Sequence, residues 1–402
     1  MLSVKRNTLL NYIPETFDIE EHVKEERIFQ YNKNHIKNGD IVYLMTRELR
    51  LKDNFALNFA LQKEEELNKK LKIIHLHQKF ENENKQFFYN NQIKELKKSL
   101  AEYDFNIADS INNLSIGLLI IDFNPVDNKD YLKNIHCKIL EVDSHNIIPS
   151  RFVSDKQEYN AATFRRKVYF NIYNFLNEFP KINSFKTQAD IELENFINKK
   201  LDFYSEYKNL PQKDMTSNLS KYLNLGFISP QRIAIEVIKS NASIENKESF
   251  LEELIIRKEL SDNYCLYCKN YKSMECIPNW AKETLIKHEN DYREFLYTQK
   301  ELEEAKTHDS LWNYSQKQLI ETGKIHGYLR MYWAKKILEW TKTNKEALEI
   351  AIYLNDKYAY DAPSSNGYTN ILWALAGLHD RAFTEHPIFG KIRIMNGKNI
   401  KI

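Results

Sequence analysis

The chain has 402 residues, 42% of them hydrophobic and 13% aromatic, and a formal charge of +2 with 28% charged side chains. That length favours two or three domains with an ample core. A balance so near neutral excludes global polycation binding, so contact with nucleic acid must come from a local basic patch. Four cysteines (Cys137, Cys265, Cys268, Cys276) argue against a disulfide framework and for a reducing compartment. The longest apolar run, Ile116 to Ile121, is far below a membrane span, and the N-terminus has no signal-peptide core. The expectation is a soluble, cytoplasmic protein.

The first third alternates strand-like and helical runs. Asp40 to Met45, Leu71 to Leu76, Ser115 to Asp122 and Lys138 to Asp143 read as buried strands. Asn54 to Lys70 and Phe87 to Tyr103 read as amphipathic helices between them. Strand, helix, strand at these lengths implies right-handed crossovers and a parallel sheet, Rossmann-like in class, with ligands expected at the carboxyl ends of the strands. Neither GxGxxG nor a Walker A loop is present. The pattern weakens from Ser150 to Pro180. The expected domains are an α/β unit over 1–150, a connector over 151–190 and an all-α unit over 191–402. Within the last, Ser217, Ser229, Ser249, Thr307 and Asn344 are candidate helix caps.

Several segments of the helical half carry chemistry-bearing residues. Asp214 to Ser220 places small hydroxyls before a helix, which fits capping and also fits phosphate binding. Glu253 and Arg257 are i,i+4 neighbours, an ion pair by default and a base-and-phosphate contact if they line a cleft. Asn355, Asp356, Asp361 and Asn366 form a polar cluster after Arg330. The lone Cys265-Leu-Tyr-Cys268 lacks a second ligand pair, so it reads as core thiols and no metal is expected. In the run Thr322 to Trp340, Trp333 and Trp340 are seven residues apart, about 10 Å along a helix axis and nearly on one face. That spacing fits core packing, and it fits stepwise electron hopping.

These stretches together resemble the class II cyclobutane pyrimidine dimer DNA photolyases of the photolyase/cryptochrome superfamily. The likeness runs from about Asn38 to Met395. It is carried by Tyr43 to Leu57, Glu141 to Pro149, Ser154 to Tyr159, Lys306 to Asn313, Gly323 to Trp333 and Phe389 to Arg393. It implies an α/β N-terminal domain, an all-α catalytic domain, and one FAD acting as a reduced anion that gives an electron to a flipped-out dimer in UV-damaged double-stranded DNA. It also implies a monomer, and an 8-hydroxy-5-deazaflavin antenna or none. The alternative is a cryptochrome-like photoreceptor without repair activity. Glu253, Met331 and Trp373, which would serve the dimer and not the flavin, favour repair.

Residue by residue, the resemblance assigns FAD contacts to Tyr204, Thr216, Ser217, Asn218, Leu219, Ser220, Phe250, Glu253, Arg257, Arg330 and Asp361. Asn355 is the first candidate for the amide facing flavin N5, with Asn366 second. Lys208, Arg257, Met331, Trp373 and Arg393 fall to dimer or DNA contact, and Glu253 to the dimer's base edge. Trp333 would lie nearest the flavin, Trp312 would partner it, and Trp340 would form a surface-side branch. The chain departs from the family pattern in Lys221 where proline is common, in Arg257 and Phe383 where relatives have tryptophan, and in ending at Ile402 where many relatives continue with a basic tail.

Overall fold

A computed structural model describes residues 8–395, 397 and 400. Six strands form one sheet: β1 (Ile28–Gln30), β2 (Asp40–Leu44), β3 (Leu71–Leu76), β4 (Phe105–Ala108), β5 (Ile116–Asp122) and β6 (Lys138–Val142). Their order is β1-β6-β5-β2-β3-β4, parallel except for the antiparallel edge strand β1. The four expected strands are β2, β3, β5 and β6, within one residue of the expected ends. β1 and β4 were not expected: they are three and four residues long and half-exposed, so they carry no buried apolar run.

Central strands alternate between two cores. Ile41, Tyr43, Leu118 and Ile120 pack with α1 (Phe55–Leu67) and α2 (Glu83–Ser99), and this core continues into the helical half. Val42, Leu44, Leu119 and Ile121 face the other way, onto Ile111, Leu132 and Cys137. The period-two alternation gives each face its own layer.

The helices continue as α3 (Ser150–Val153), α4 (Ala161–Phe175), α5 (Gln188–Lys199), α6 (Tyr204–Tyr207), α7 (Ser220–Asn224), α8 (Pro230–Lys239), α9 (Ile244–Leu251), α10 (Lys258–Tyr267), α11 (Asn279–His288), α12 (Gln299–Glu303), α13 (Ser310–Thr322), α14 (Gly327–Glu339), α15 (Asn344–Tyr358) and α16 (Ser365–Ala376). The stretch expected as a connector contains α4, a 15-residue helix capped by Asn160, with Phe164, Val168 and Ile172 fully buried at 3–4 spacing.

Of the expected caps, Ser229 accepts from Arg232 N as expected. Ser249 lies inside α9. The caps of α13 and α15 are Asp309 and Thr343, so Thr307 and Asn344 each miss by one or two positions. Ser217 caps no helix, because α7 begins at Ser220 behind Leu219 without a side-chain cap.

The cysteine expectation is corrected. Cys268 bonds to Cys276 in a disulfide, and Cys265 and Cys137 are buried free thiols. The CxxC is therefore not a functional unit. Cys268 ends α10, and the following turn brings the chain back to it after eight residues. Among the described residues no helix is long and apolar enough to cross a membrane.

Candidate functional site

The crevice at the strand ends is filled by the chain itself. Asp122, at the end of β5, accepts from Tyr43 Oη (2.6 Å) and from the backbone N–H groups of Thr46 (2.7 Å), Arg47 (2.8 Å) and Glu48 (3.0 Å). One buried carboxylate thus turns the chain after β2 away from the sheet and aims Arg47 at the helical half. There Arg47 meets Asp262 of α10 at 3.1 Å. Gly226, at φ +65°, lets the Arg47 carbonyl approach so closely that an added Cβ would sit 2.2 Å from it. This close approach is what its missing side chain permits.

Around that junction opens a cleft with about 820 Å³ of space between protein atoms, open solvent at its mouth included. Its walls include Arg47, His145, Tyr204, Ser217, Ser220, Leu223, Phe250, Glu253, Leu254, Lys258, Asp262, Arg330, Asp361, Ser364, Asn366 and Gly367. Every wall carries a distinct chemistry. Tyr204, Leu223, Phe250 and Leu254 are apolar or aromatic, Ser217 and Ser220 bring hydroxyls, and Arg47, Lys258 and Arg330 bring cations.

Arg330 of α14 pairs with Asp361 at 3.1 Å through both guanidinium ends. Burial pushes the Asp361 carboxyl up, but Arg330 and a hydrogen bond from Ser220 bring it below its ordinary value. Arg47, His145, Lys258 and Asp262 of the wall belong to a charged network with Glu48 and Glu259 that the sequence reading missed. Burial pushes Glu259 up against the attraction of Lys258, and Glu48 up to about 7 against Arg50. His145, which hydrogen-bonds Glu48 at 2.8 Å, is held neutral by burial and by the nearby cations Arg47 and Lys258. Its only sequence signal was polar residues inside otherwise apolar strand ends and in the first turns of α10.

The expected Glu253–Arg257 pair does not form. Residues Glu252–Arg257 make a π-helical turn, which places i and i+5 on one face. Arg257 therefore pairs with Glu252 at 3.0 Å, and Glu253 pairs with Lys208 at 3.1 Å at the edge of the cleft. Arg257 lies outside the cleft wall.

Thr216 and Asn218 also stand outside the wall, but Lys324 gathers both, Thr216 Oγ1 at 2.8 Å and Asn218 directly. Burial lowers the Lys324 ammonium to about 8. It was not singled out in the sequence, where it is one lysine in the Gly323-to-Trp333 run. Leu219 is buried behind Ser220. Lys221 lies over the rings of Phe88 and Tyr222, 5.5 and 5.1 Å away, and so does not simply face solvent.

Asn366 lines the cleft and Asn355 does not. Asn355 is buried behind Gly367, its amide donating to Asp356 at 3.2 Å, and a Cβ on Gly367 would stand 3.1 Å from that amide nitrogen. Trp373 lies elsewhere on α16, with Arg393 5.6 Å and Lys335 5.8 Å from its ring. Arg393 also pairs with Asp380 and covers Phe383. Met331 follows Arg330 on α14 and is half-buried outside the cleft wall.

The tryptophans form one series. Trp333 and Trp312 stack at 6.3 Å with planes 4° apart, and Trp340 meets Trp312 edge-on at 5.8 Å. Trp312 is thus the middle member. Trp340 is only 1% exposed, so it is not itself a surface residue. The partly exposed rings beyond it are Tyr297 (5.4 Å) and His308 (5.2 Å).

No family model matches the chain. The chain is 33% identical over 430 residues to the deoxyribodipyrimidine photo-lyase of Methanothermobacter thermautotrophicus, covering 94% of this chain and 96% of that one. It belongs to the deoxyribodipyrimidine photo-lyase family. The photo-lyase of Arabidopsis thaliana is 35% identical over 423 residues, covering 89% of this chain and 85% of that one. That of Potorous tridactylus is 38% identical over 324 residues, covering 70% of this chain, which spans 61% of that relative's length. Among solved structures, a class III photolyase of Agrobacterium tumefaciens superposes with a TM-score of 0.66 at 15% identity, over 88% of this chain and 83% of that one. A cryptochrome of Synechocystis superposes at 0.65 and 14%, over 87% and 84%. The parallel sheet followed by a helical remainder is therefore the photolyase/cryptochrome fold. The family is one of light-driven, flavin-dependent DNA repair enzymes, and the cryptochrome alternative is not better supported.

Proposed function

We propose that this chain repairs cyclobutane pyrimidine dimers in UV-damaged double-stranded DNA, as a class II photolyase, with FAD in the cleft between Arg330 and Lys258. The observation that carries this reading is that α14 presents Arg330 to the cleft while its next turn places Trp333 in the stacked indole series.

The residues fit the cofactor. FAD is a dianionic diphosphate joined to two ring systems, and the cleft offers hydroxyls and ammonium groups for the first and aromatic and aliphatic walls for the second. Ser217, Ser220 and Lys324 would hold the phosphates, with Thr216, Asn218 and Leu219 shaping that loop. Tyr204, Phe250 and Leu254 would pack against the rings. When bound and reduced, FAD supplies the light-driven electron that splits the dimer.

The chain's own residues do the rest. Arg330 favours a negative charge beside it, and Asp361 fixes the guanidinium's orientation. Asn366, or Asn355 reached past Gly367, would supply an amide to the flavin ring. Glu253 with Lys208 stands at the cleft edge to meet the dimer's polar base edge. Trp373, Met331, Arg393 and Arg257 form the dimer- and DNA-facing surface, where cations meet phosphate. Trp340, Trp312 and Trp333 would offer a route by which electrons reach the cofactor.

In this reading residues 1–150 form the antenna-type unit, with an 8-hydroxy-5-deazaflavin or no chromophore, and residues 191–402 the catalytic unit. The protein acts as a monomer inside the cell. The test is an absorption spectrum of the purified protein and of the flavin released on denaturation. A band near roughly 450 nm that bleaches under blue light with a reductant supports the reading. A protein without flavin refutes it.

A further inference from the structure

We propose that Lys85, on the α/β unit, is a positioning residue of the flavin site: it holds the segment that carries Asp361, and that begins next to Asn355, in register with Arg330. The inference rests on the FAD reading above.

Lys85 is the third residue of α2, and Asn82 fixes that first turn by accepting from its backbone N–H at 2.8 Å. Its side chain leaves the α/β unit and is 3% exposed. The ammonium donates to two backbone carbonyls of the helical half, Asp356 at 2.8 Å and Ala362 at 2.7 Å. Those carbonyls bracket Tyr360 and Asp361. One cation therefore pins both ends of the seven-residue segment that supplies the partner of Arg330.

The contact is built along the helix. One turn on from Lys85, Phe88 stacks on Tyr360 at 5.1 Å with planes 14° apart. Tyr360 N in turn donates to the Gly323 carbonyl at 3.0 Å, next to Lys324. So the same face of α2 also steadies the loop whose lysine holds Thr216 and Asn218.

The link to the amide is equally short. Asp356 accepts from Asn355 at 3.2 Å and from Tyr368 at 2.8 Å. Both Asp356 and Asp361 lie within electrostatic reach of Lys85. A buried ammonium between two acids balances their charge, and its hydrogen bonds to carbonyls satisfy groups that water cannot reach.

The test compares wild type with Lys85→Met, Lys85→Gln and Lys85→Arg in the full chain. Hydrogen exchange of residues 355–362 is read in the flavin-free protein, and the dark lifetime of the reduced flavin in air is read in the loaded protein. The expected result is exchange faster by roughly tenfold in Lys85→Met, from loss of two buried charge-assisted bonds. The reduced-flavin lifetime should shorten by several-fold, Lys85→Gln should be intermediate, and Lys85→Arg should restore both. If Lys85→Met does not fold, the Gln and Arg variants decide between the same outcomes. Wild-type exchange and lifetime in the Met and Gln variants would overturn the role of Lys85 alone. A wild type that holds no flavin would overturn the cofactor reading and this inference with it.

Discussion

Trp312 and Trp333 lie with their planes 4° apart and their centroids 6.3 Å apart, and the Trp312 indole N–H donates to the Trp333 carbonyl at 3.0 Å. The Trp333 N–H is satisfied by Gln316 at 2.8 Å. Both rings are buried with their polar edges paired, so their relative orientation is fixed. Replacing Trp312 by Phe keeps the apolar bulk and removes the middle of the series. The step from Trp340 to Trp333 then has no indole between them. Flavin photoreduction in Trp312→Phe should fall by roughly tenfold or more, a barrier increase of over about 1.4 kcal/mol. Repair by chemically reduced protein should stay near wild type. Photoreduction followed at the flavin band under blue light checks it, and an unchanged rate would remove Trp312 from the pathway.

Arg330 and Asp361 face each other in a cleft that is partly open, each side chain 17% exposed. Removing the cation leaves a carboxylate with burial against it and only the Ser220 hydrogen bond and the attraction of Lys85 for compensation. Arg330→Leu should therefore cost about 2–3 kcal/mol of stability, below the cost of breaking a fully buried pair because solvent reaches this one. It should also weaken flavin retention. Denaturant unfolding of the flavin-free protein separates the two effects.

Gly226 is needed because the Arg47 backbone passes over it. An alanine there meets both a left-handed φ of +65° and a carbonyl oxygen 2.2 Å from its Cβ. Gly226→Ala should destabilise by about 2–4 kcal/mol and shift Arg47 off Asp262. Alanine at Gly327, whose Cβ would meet nothing within 4 Å, is the control and should be near neutral.

His75 is buried in β3, with its ring nitrogens on the Met45 carbonyl (2.7 Å) and Tyr89 Oη (2.6 Å). Burial lowers it to about 4. The folded state thus binds this proton less readily than the unfolded chain, whose histidine titrates near 6.5. Stability from this group is full above about pH 6.5 and is lost as pH falls toward 4, by up to about 3 kcal/mol. The difference in unfolding free energy between wild type and His75→Gln, measured from pH 8 to 4, isolates it, because other groups cancel. The wild type should lose ground to the variant below pH 6.5, and a constant difference would show that His75 does not titrate as described.

The Cys268–Cys276 disulfide closes a short loop whose Tyr271 packs on Tyr368 at 5.4 Å. A loop of this size is worth about 2–3 kcal/mol when closed. Thermal unfolding with and without a dithiol should show a lower midpoint when reduced, and Cys276→Ser should match the reduced protein.

The parts of this architecture that were legible in the sequence are those set by local pattern. The four central strands are rich in buried apolar residues, and Leu71–Leu76 was placed to the residue. The Arg330–Asp361 meeting was legible only because the surrounding run resembles a family, since nothing local joins residues 31 positions apart. Failures share a cause: they depend on backbone detail or on tertiary return of the chain. A π-helical turn moved the partner of Arg257 from Glu253 to Glu252, a local turn brought Cys276 to Cys268, and short edge strands carry too few buried residues to register. Lys85 and Lys324 are not marked in the sequence, because burial of a cation against carbonyl or side-chain oxygens leaves no trace in periodicity.

The most direct test of the central claim is dimer repair itself. Purified protein, reduced and supplied with double-stranded DNA containing thymine dimers, is assayed for dimers remaining after blue light and after an equal time in the dark. The account predicts loss of dimers in the light and none in the dark, with Glu253→Ala impaired. Intact dimers under light, in protein shown to hold reduced flavin, would contradict it and favour a photoreceptor built on the same fold.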